Sequence, residues 1–182
     1  MLRNFLRQFS IIFSIFYFKK IKINQKKHQR IEKFIKKKSN EIYKINPRLS
    51  THKNLAEEIL KIIKLDNLIK FLRNSFIQKI FFIHNRLFIY YELLELKKDI
   101  NWPIWKKLIL ENDVGTPVRF FLNLSSSGNR IRQVYIIKKF LDLNTKVKLK
   151  KIKKIVEIGG GYGCMADIFI KINKKVNYTI YD

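Results

Sequence analysis

Lys154-Ile155-Val156-Glu157-Ile158-Gly159-Gly160-Gly161-Tyr162-Gly163 decides the fold. It reads as a buried strand running straight into a glycine-rich turn. Ile155, Val156 and Ile158 are β-branched, which stiffens the backbone toward extended conformations. The glycines remove side chains where the chain must turn sharply and approach a ligand. Behind the turn, Met165, Ile168, Phe169 and Ile172 recur at helical spacing, so a helix starts near Cys164. Ala166 is small enough to let that helix lie close to the strand. A second strand follows, with Val176, Tyr178 and Ile180 on one face, and the last residue is Asp182. Strand, glycine turn, helix and strand make one βαβ unit, which packs right-handed.

Such a unit captures nucleotides. Backbone N–H groups of the turn point at a ligand on the positive end of the helix dipole. A carboxylate at the tip of the second strand accepts hydrogen bonds from the hydroxyls of a ribose. Asp182 stands 19 positions after Gly163, close to the ~20 expected of that acid.

The choice of nucleotide turns on Glu157. The dinucleotide fingerprint can be laid on Gly161-Tyr162-Gly163-Cys164-Met165-Ala166, which keeps a nicotinamide or flavin oxidoreductase open. Started at Gly159, the same pattern fails at Cys164. Glu157 sits two residues before the first glycine, where a dinucleotide strand carries an apolar residue. Buried without a partner, a carboxylate there costs several kcal/mol. S-adenosylmethionine brings a sulfonium and an amino group to offset it, whereas a diphosphate is repelled. Glu157, Gly159, Gly161 and Gly163 form an acid-x-Gly-x-Gly-x-Gly pattern that resembles motif I of the S-adenosylmethionine-dependent methyltransferases. The bland alternative is a glycine turn that binds nothing, and several aligned features weigh against it. A Walker-type phosphate loop is excluded, because no Gly-Lys-Ser/Thr follows.

With 182 residues, of which 47% are hydrophobic, the chain suits one domain plus an appendage. Its net charge of +25 would by itself suggest nucleic acid or an anionic membrane. The lysines are spread through every segment, however, and abundant Lys, Ile, Asn and Phe fit AT-rich codon usage. A solvated basic surface is therefore expected, and nucleic acid is not the expected partner. The sole cysteine, Cys164, cannot form an internal disulfide, which fits a reducing cytosol and a packing role.

Three regions follow from the pattern. Residues 1–50 read as a basic amphipathic helical extension, 51–122 as a helical region, and 123–182 as the start of a cofactor domain. The apolar run from Phe9 to Phe18 is about half the ~20 residues that span a bilayer. Two arginines precede it, but lysines follow in place of a cleavage site. Residues 1–38 therefore suit either peripheral contact with an anionic membrane or packing on the rest of a cytoplasmic protein. Ile31, Phe34, Ile35, Ile42 and Ile45 keep helical spacing. Asn54-x-x-Glu57 resembles a capping box, and an apolar stripe runs from Leu55 to Leu72. A further helix is predicted from Phe76 to Leu96, with Ile80, Ile83, Leu87, Tyr90, Tyr91 and Leu94 inward. His28, His52 and His84 lack partners at metal spacing, so no metal site is expected.

Asn101-Trp102-Pro103-Ile104-Trp105 opens a short helix with Pro103 in its first turn. A loop follows. The segment from Ser125 then enters a helix that runs to Leu143, capped by one of the serines. Glu111, Asn112, Asp113, Arg119, Asn129, Arg130, Arg132 and Gln133 give this region many polar side chains between hydrophobic elements. They are either surface loops with a helix cap or the border of the cofactor pocket. Arg119, Asn129, Arg130, Arg132 and Gln133 are the pocket-lining candidates.

Glu111-Asn112-Asp113 with Gly115-x-Pro117, Ser126-x-Gly128-Asn129-Arg130-Ile131-Arg132-Gln133-x-Tyr135, and Val156 to Gly163 together resemble the bacterial sugar O-methyltransferases. The resemblance covers Trp102 to Asp182, and departs at Cys164, where glycine is more usual. It implies an α/β chain: a mostly helical N-terminal region, then the first βαβ unit of a Rossmann-like methyltransferase domain. Such a domain carries about seven strands against the two read here, so an incomplete domain without turnover is expected. The resemblance further implies attack of a sugar or glycan hydroxyl on the methyl of S-adenosylmethionine. Gly159, Gly160, Gly161, Tyr162 and Gly163 would border the cofactor, Glu157 would lie near its amino group, and Asp182 would bind its ribose. No residue here is assignable as the catalytic base. Two other readings stay open: an NAD- or FAD-dependent oxidoreductase, and a non-enzymatic basic module for nucleic acid or membrane.

Overall fold

A computed structural model describes residues 29–30, 33, 58–59, 61–62, 68–81 and 87–181. Most of the expected extension 1–50, the capping box, much of the Leu55–Leu72 stripe, all three histidines and Asp182 lie outside the described residues. What is described is a mixed α/β chain of helices and two small sheets, with no closed barrel.

Two compact units divide it. The smaller includes a 3-10 turn, Leu68–Arg73, and residues 113–117; helix α1, Ser75–Phe81, follows the turn. Asn74 starts α1 by accepting the Phe76 N–H on its side chain at 2.9 Å. The Leu72 N–H donates to the Gly115 carbonyl at 2.9 Å, and the Gln78 amide donates to the Leu72 carbonyl. Leu72 and Ile77 are buried there.

The larger unit runs in order through α2 (Leu87–Lys98), α3 (Trp102–Ile109), β1 (Arg119–Phe120), β2 (Asn123–Ser127) and α4 (Gly128–Leu143). It continues through β3 (Lys154–Ile158), α5 (Cys164–Ile172) and β4 (Asn177–Tyr181). Its core joins Ile89, Leu93 and Leu96 of α2 to Trp105, Leu108 and Ile109 of α3, around Ile131, Val134 and Ile137 of α4. Ile168 of α5 closes it, a side chain whose full burial contributes about 1.5–3 kcal/mol. Helix α4 touches α2, α3, α5 and β2, so it is the hub on which the glycine turn is mounted.

The sequence placed α3, the end of α4 and the start of α5 correctly, including Pro103 in the first turn of α3. The helix expected from 76 to 96 is seen as α1 and α2, with 82–86 outside the described residues. Its inward stripe needs correction. Tyr90 and Tyr91 are exposed, and Ile89, Glu92, Leu93 and Leu96 face inward instead. An acid in the stripe hides its true phase: Glu92 is buried and ion-paired with Arg132. The segment before α4 is also not a plain loop. Asn123–Ser127 pairs antiparallel with Arg119–Phe120 across a very short connection.

The β3 strand is a third correction. It pairs parallel with β4, Ile155 opposite Tyr178 and Glu157 opposite Ile180. It is not buried on both faces: Val156 is 53% and Ile158 87% exposed. Helix α5 covers the face of Ile155 and Tyr178, where the Phe169 and Tyr178 rings lie 6.0 Å apart, and leaves the other open.

Candidate functional site

The site is built at the C-terminal end of β3. There the Gly159 N–H donates to the Tyr181 carbonyl at 2.7 Å, extending the ladder one residue past the strand. The chain then turns through positive φ at Gly159 (72°), Gly161 (54°) and Gly163 (77°), a region that side-chain-bearing residues rarely adopt. The Gly163 N–H closes the turn on the Gly160 carbonyl at 3.0 Å. Two of the N–H groups expected to face a ligand are thus committed within the chain. Gly160 answers a different need. A Cβ there would stand 2.6 Å from Ile180 Cγ2 and 3.0 Å from Glu157 Oε2, so only glycine lets the turn lie on β4.

Glu157 is half-buried against this turn. It is not partnerless, as the charge argument assumed: Tyr178 donates its hydroxyl to Glu157 Oε2 at 2.8 Å. Burial, and then this bond and the charge of Glu157, push the Tyr178 phenol well above its ordinary range. Parallel register brings Tyr178 beside Glu157 on the same sheet face. Alternation within β4 was the signal that could have found it.

Behind the turn lies a buried polar brace. The Tyr162 hydroxyl accepts from Asn129 Nδ2 at 2.9 Å and reaches Glu111 Oε1 at 3.5 Å. Burial, and then the charges around it, raise this phenol far above its ordinary value. The other oxygen of Glu111 accepts the Ser127 N–H at 2.7 Å and Arg119 Nη1 at 3.2 Å. Side chains of Glu111 and Arg119 are only 6% and 2% exposed. Arg119 also donates to the carbonyls of Ser125, Glu111 and Asn112. Ser127 itself caps α4, its hydroxyl accepting the Arg130 N–H at 3.1 Å.

Arg130 bolts α4 to the first turn of α5. Its Nη1 donates to Asp167 Oδ2 at 2.6 Å and to the Cys164 carbonyl at 3.3 Å, and Nε to the Leu108 carbonyl at 2.8 Å. Asp167 also suits the positive end of the α5 dipole. The sequence reading did not single it out, although it stands on the helix predicted there. Of the pocket-lining candidates, then, Asn129 reaches the turn through Tyr162, Arg119 and Arg130 are buried in ion pairs, Arg132 pairs with Glu92, and Gln133 is half-buried. Cys164 is buried, and burial followed by the Glu111 charge moves its thiol up to about 11. At neutral pH it is a packed thiol and not a nucleophile.

Among the described residues, no cluster of metal-ligating side chains occurs, and no helix is long and apolar enough to cross a membrane. No family model, characterised protein or solved structure matches the chain.

Proposed function

We propose that the larger unit is part of a nucleotide-cofactor domain, its ligand seated on the Gly159–Gly163 turn. Within that class, the best reading is an S-adenosylmethionine-dependent O-methyltransferase acting on a sugar hydroxyl. One observation carries it: an acid, Glu157, lies directly under a three-glycine positive-φ turn at the C-terminal end of a parallel strand pair. Ligands of open α/β sheets bind at that end of the strands. A carboxylate at this distance from the turn opposes a diphosphate and favours a cationic methyl donor. Its bond to Tyr178 leaves the charge in place, so the preference survives even though no ligand is needed to satisfy it.

In this reading, S-adenosylmethionine supplies an electrophilic methyl group. Gly159 to Gly163 border its methionine and adenosine portions, Glu157 holds its amino group directly or through the turn, and Asp182 takes the ribose hydroxyls. The brace of Glu111, Asn129 and Tyr162 keeps the turn in shape, so reactants are aligned before the reaction begins. S-adenosylmethionine held there would supply its methyl group to a sugar hydroxyl, whose proton a base would take. None of the described residues is assigned as that base.

Calorimetric titration with S-adenosylmethionine and with NADH tests the proposal. Binding of the methyl donor, weakened in Glu157→Ala, is expected. Binding of NADH without the methyl donor would replace the reading with an oxidoreductase.

A further inference from the structure

Chain order scatters the lysines, but the fold gathers eight of them. Six lie in residues 146–154, five on the connection from α4 into β3 and Lys154 at the first position of β3, and Lys174 and Lys175 lie on the connection from α5 into β4. All eight are exposed. Asn173 staples the two connections together: its amide donates to the Ile152 carbonyl at 2.9 Å and the Lys150 carbonyl at 3.3 Å, while its oxygen accepts the Lys175 N–H at 3.0 Å. The Asn177 N–H adds a bond to the Lys153 carbonyl at 2.9 Å. Val147, Leu149 and Ile152, interleaved with the lysines, are half-buried, which turns the charges outward.

Among the described residues, none of these eight ammonium groups is in an ion pair. The nearby acids are spent elsewhere, Asp142 on Lys138 and Asp167 on Arg130 and Lys171. The patch sits at the N-terminal ends of β3 and β4, so a strand length of ~15 Å separates it from the glycine turn. Beside it, Leu143 at the end of α4 is 84% exposed.

We infer that this patch is a docking surface for an anionic lipid headgroup layer. Its chemistry chooses lipid over nucleic acid. Every charge is a lysine, and the patch offers no arginine fork of the kind that grips phosphodiesters; the exposed Phe140 and Leu143 beside it are apolar groups that a leaflet can take up. Lysines beside an exposed leucine match a leaflet, where diffuse negative charge lies above an apolar layer. Bound this way, the glycine turn faces away from the membrane and stays open.

The experiment is flotation of the chain with phosphatidylcholine vesicles that contain or lack phosphatidylserine. Each lysine at such a surface is worth about fivefold in binding. Lys148→Gln/Lys150→Gln/Lys151→Gln/Lys153→Gln should therefore lose roughly 600-fold on the anionic vesicles. A control with the same charge change, Lys97→Gln/Lys98→Gln/Lys106→Gln/Lys107→Gln, neutralises exposed lysines of α2 and α3 and should lose only a few-fold. All four patch lysines are exposed, and matching circular dichroism melts will show that both variants fold. Equal losses in the two variants, an unaffected patch variant, or retention of duplex DNA in place of vesicles would each overturn the inference.

Discussion

Glu111→Ala should strongly destabilise the larger unit. The carboxylate receives the Ser127 N–H, Arg119 Nη1 and the Tyr162 hydroxyl, all in the buried brace. Removing it takes one carboxylate partner from the guanidinium of Arg119, whose side chain is only 2% exposed. Breaking a buried pair from one side costs about 3–5 kcal/mol, and natural domains have only about 5–15 kcal/mol to lose. Three carbonyls still accept from Arg119, which places the expectation at the lower end, ~3 kcal/mol. Urea unfolding followed by far-ultraviolet circular dichroism reads the difference as a shift in midpoint at constant slope. A cycle sharpens the test. Arg119→Met in the Glu111→Ala background removes both members of the ion pair, so the double variant should be less destabilised than the sum of the singles by roughly 1–3 kcal/mol if the two side chains are coupled. A loss below ~1 kcal/mol for Glu111→Ala, the range of an exposed pair, or strict additivity in the cycle, would refute the claim that this brace holds the turn.

Gly160→Ala forces a Cβ to within 2.6 Å of Ile180 Cγ2; a loss of about 1–3 kcal/mol and weakened methyl-donor binding are expected from melts and titration. Ser127→Ala removes the cap of α4 and should cost about 1 kcal/mol in the same unfolding assay. Burial raises the Cys164 thiol from an ordinary value of 9.0 to about 11, so the folded state holds its proton longer than the unfolded chain. The resulting stability is complete below pH 9 and lost as pH rises toward about 11. The advantage of wild type over Cys164→Ala should shrink across that window, and thiol labelling should be slow at neutral pH.

Local patterns carried far in this chain. Pro103 and the Trp105–Leu108–Ile109 face mark α3, and glycines followed by Met165, Ile168 and Phe169 mark a turn entering a helix. Pairings across distance were not legible. Nothing local shows that Glu92 belongs to a buried stripe, because its partner Arg132 is 40 positions away. The same holds for Glu111 and Tyr162, which are 51 positions apart. The polar segment upstream of β3 stands out by its composition, but composition cannot separate a ligand-facing residue from one that ties two elements together. Arg119 and Arg130, candidates for the pocket border from sequence, sit in ion pairs that fix β1 and α4.

Glu157 and the lysines show why charge needs geometry before it carries an argument. Read in the chain, Glu157 was an acid without a partner and so demanded a cation. In the fold, Tyr178 satisfies it by a neutral hydrogen bond, which removes the demand and keeps the field. What remains is a selective effect: a fixed negative charge at the turn penalises anions and leaves a cation unopposed. The lysines moved the other way. Spread through the sequence, they gave no site. Two connections at one end of a parallel pair, joined by Asn173, turn eight of them into a single surface. An acid under the glycine turn and a basic patch at the opposite strand ends therefore place opposite charges at the two ends of the same small sheet.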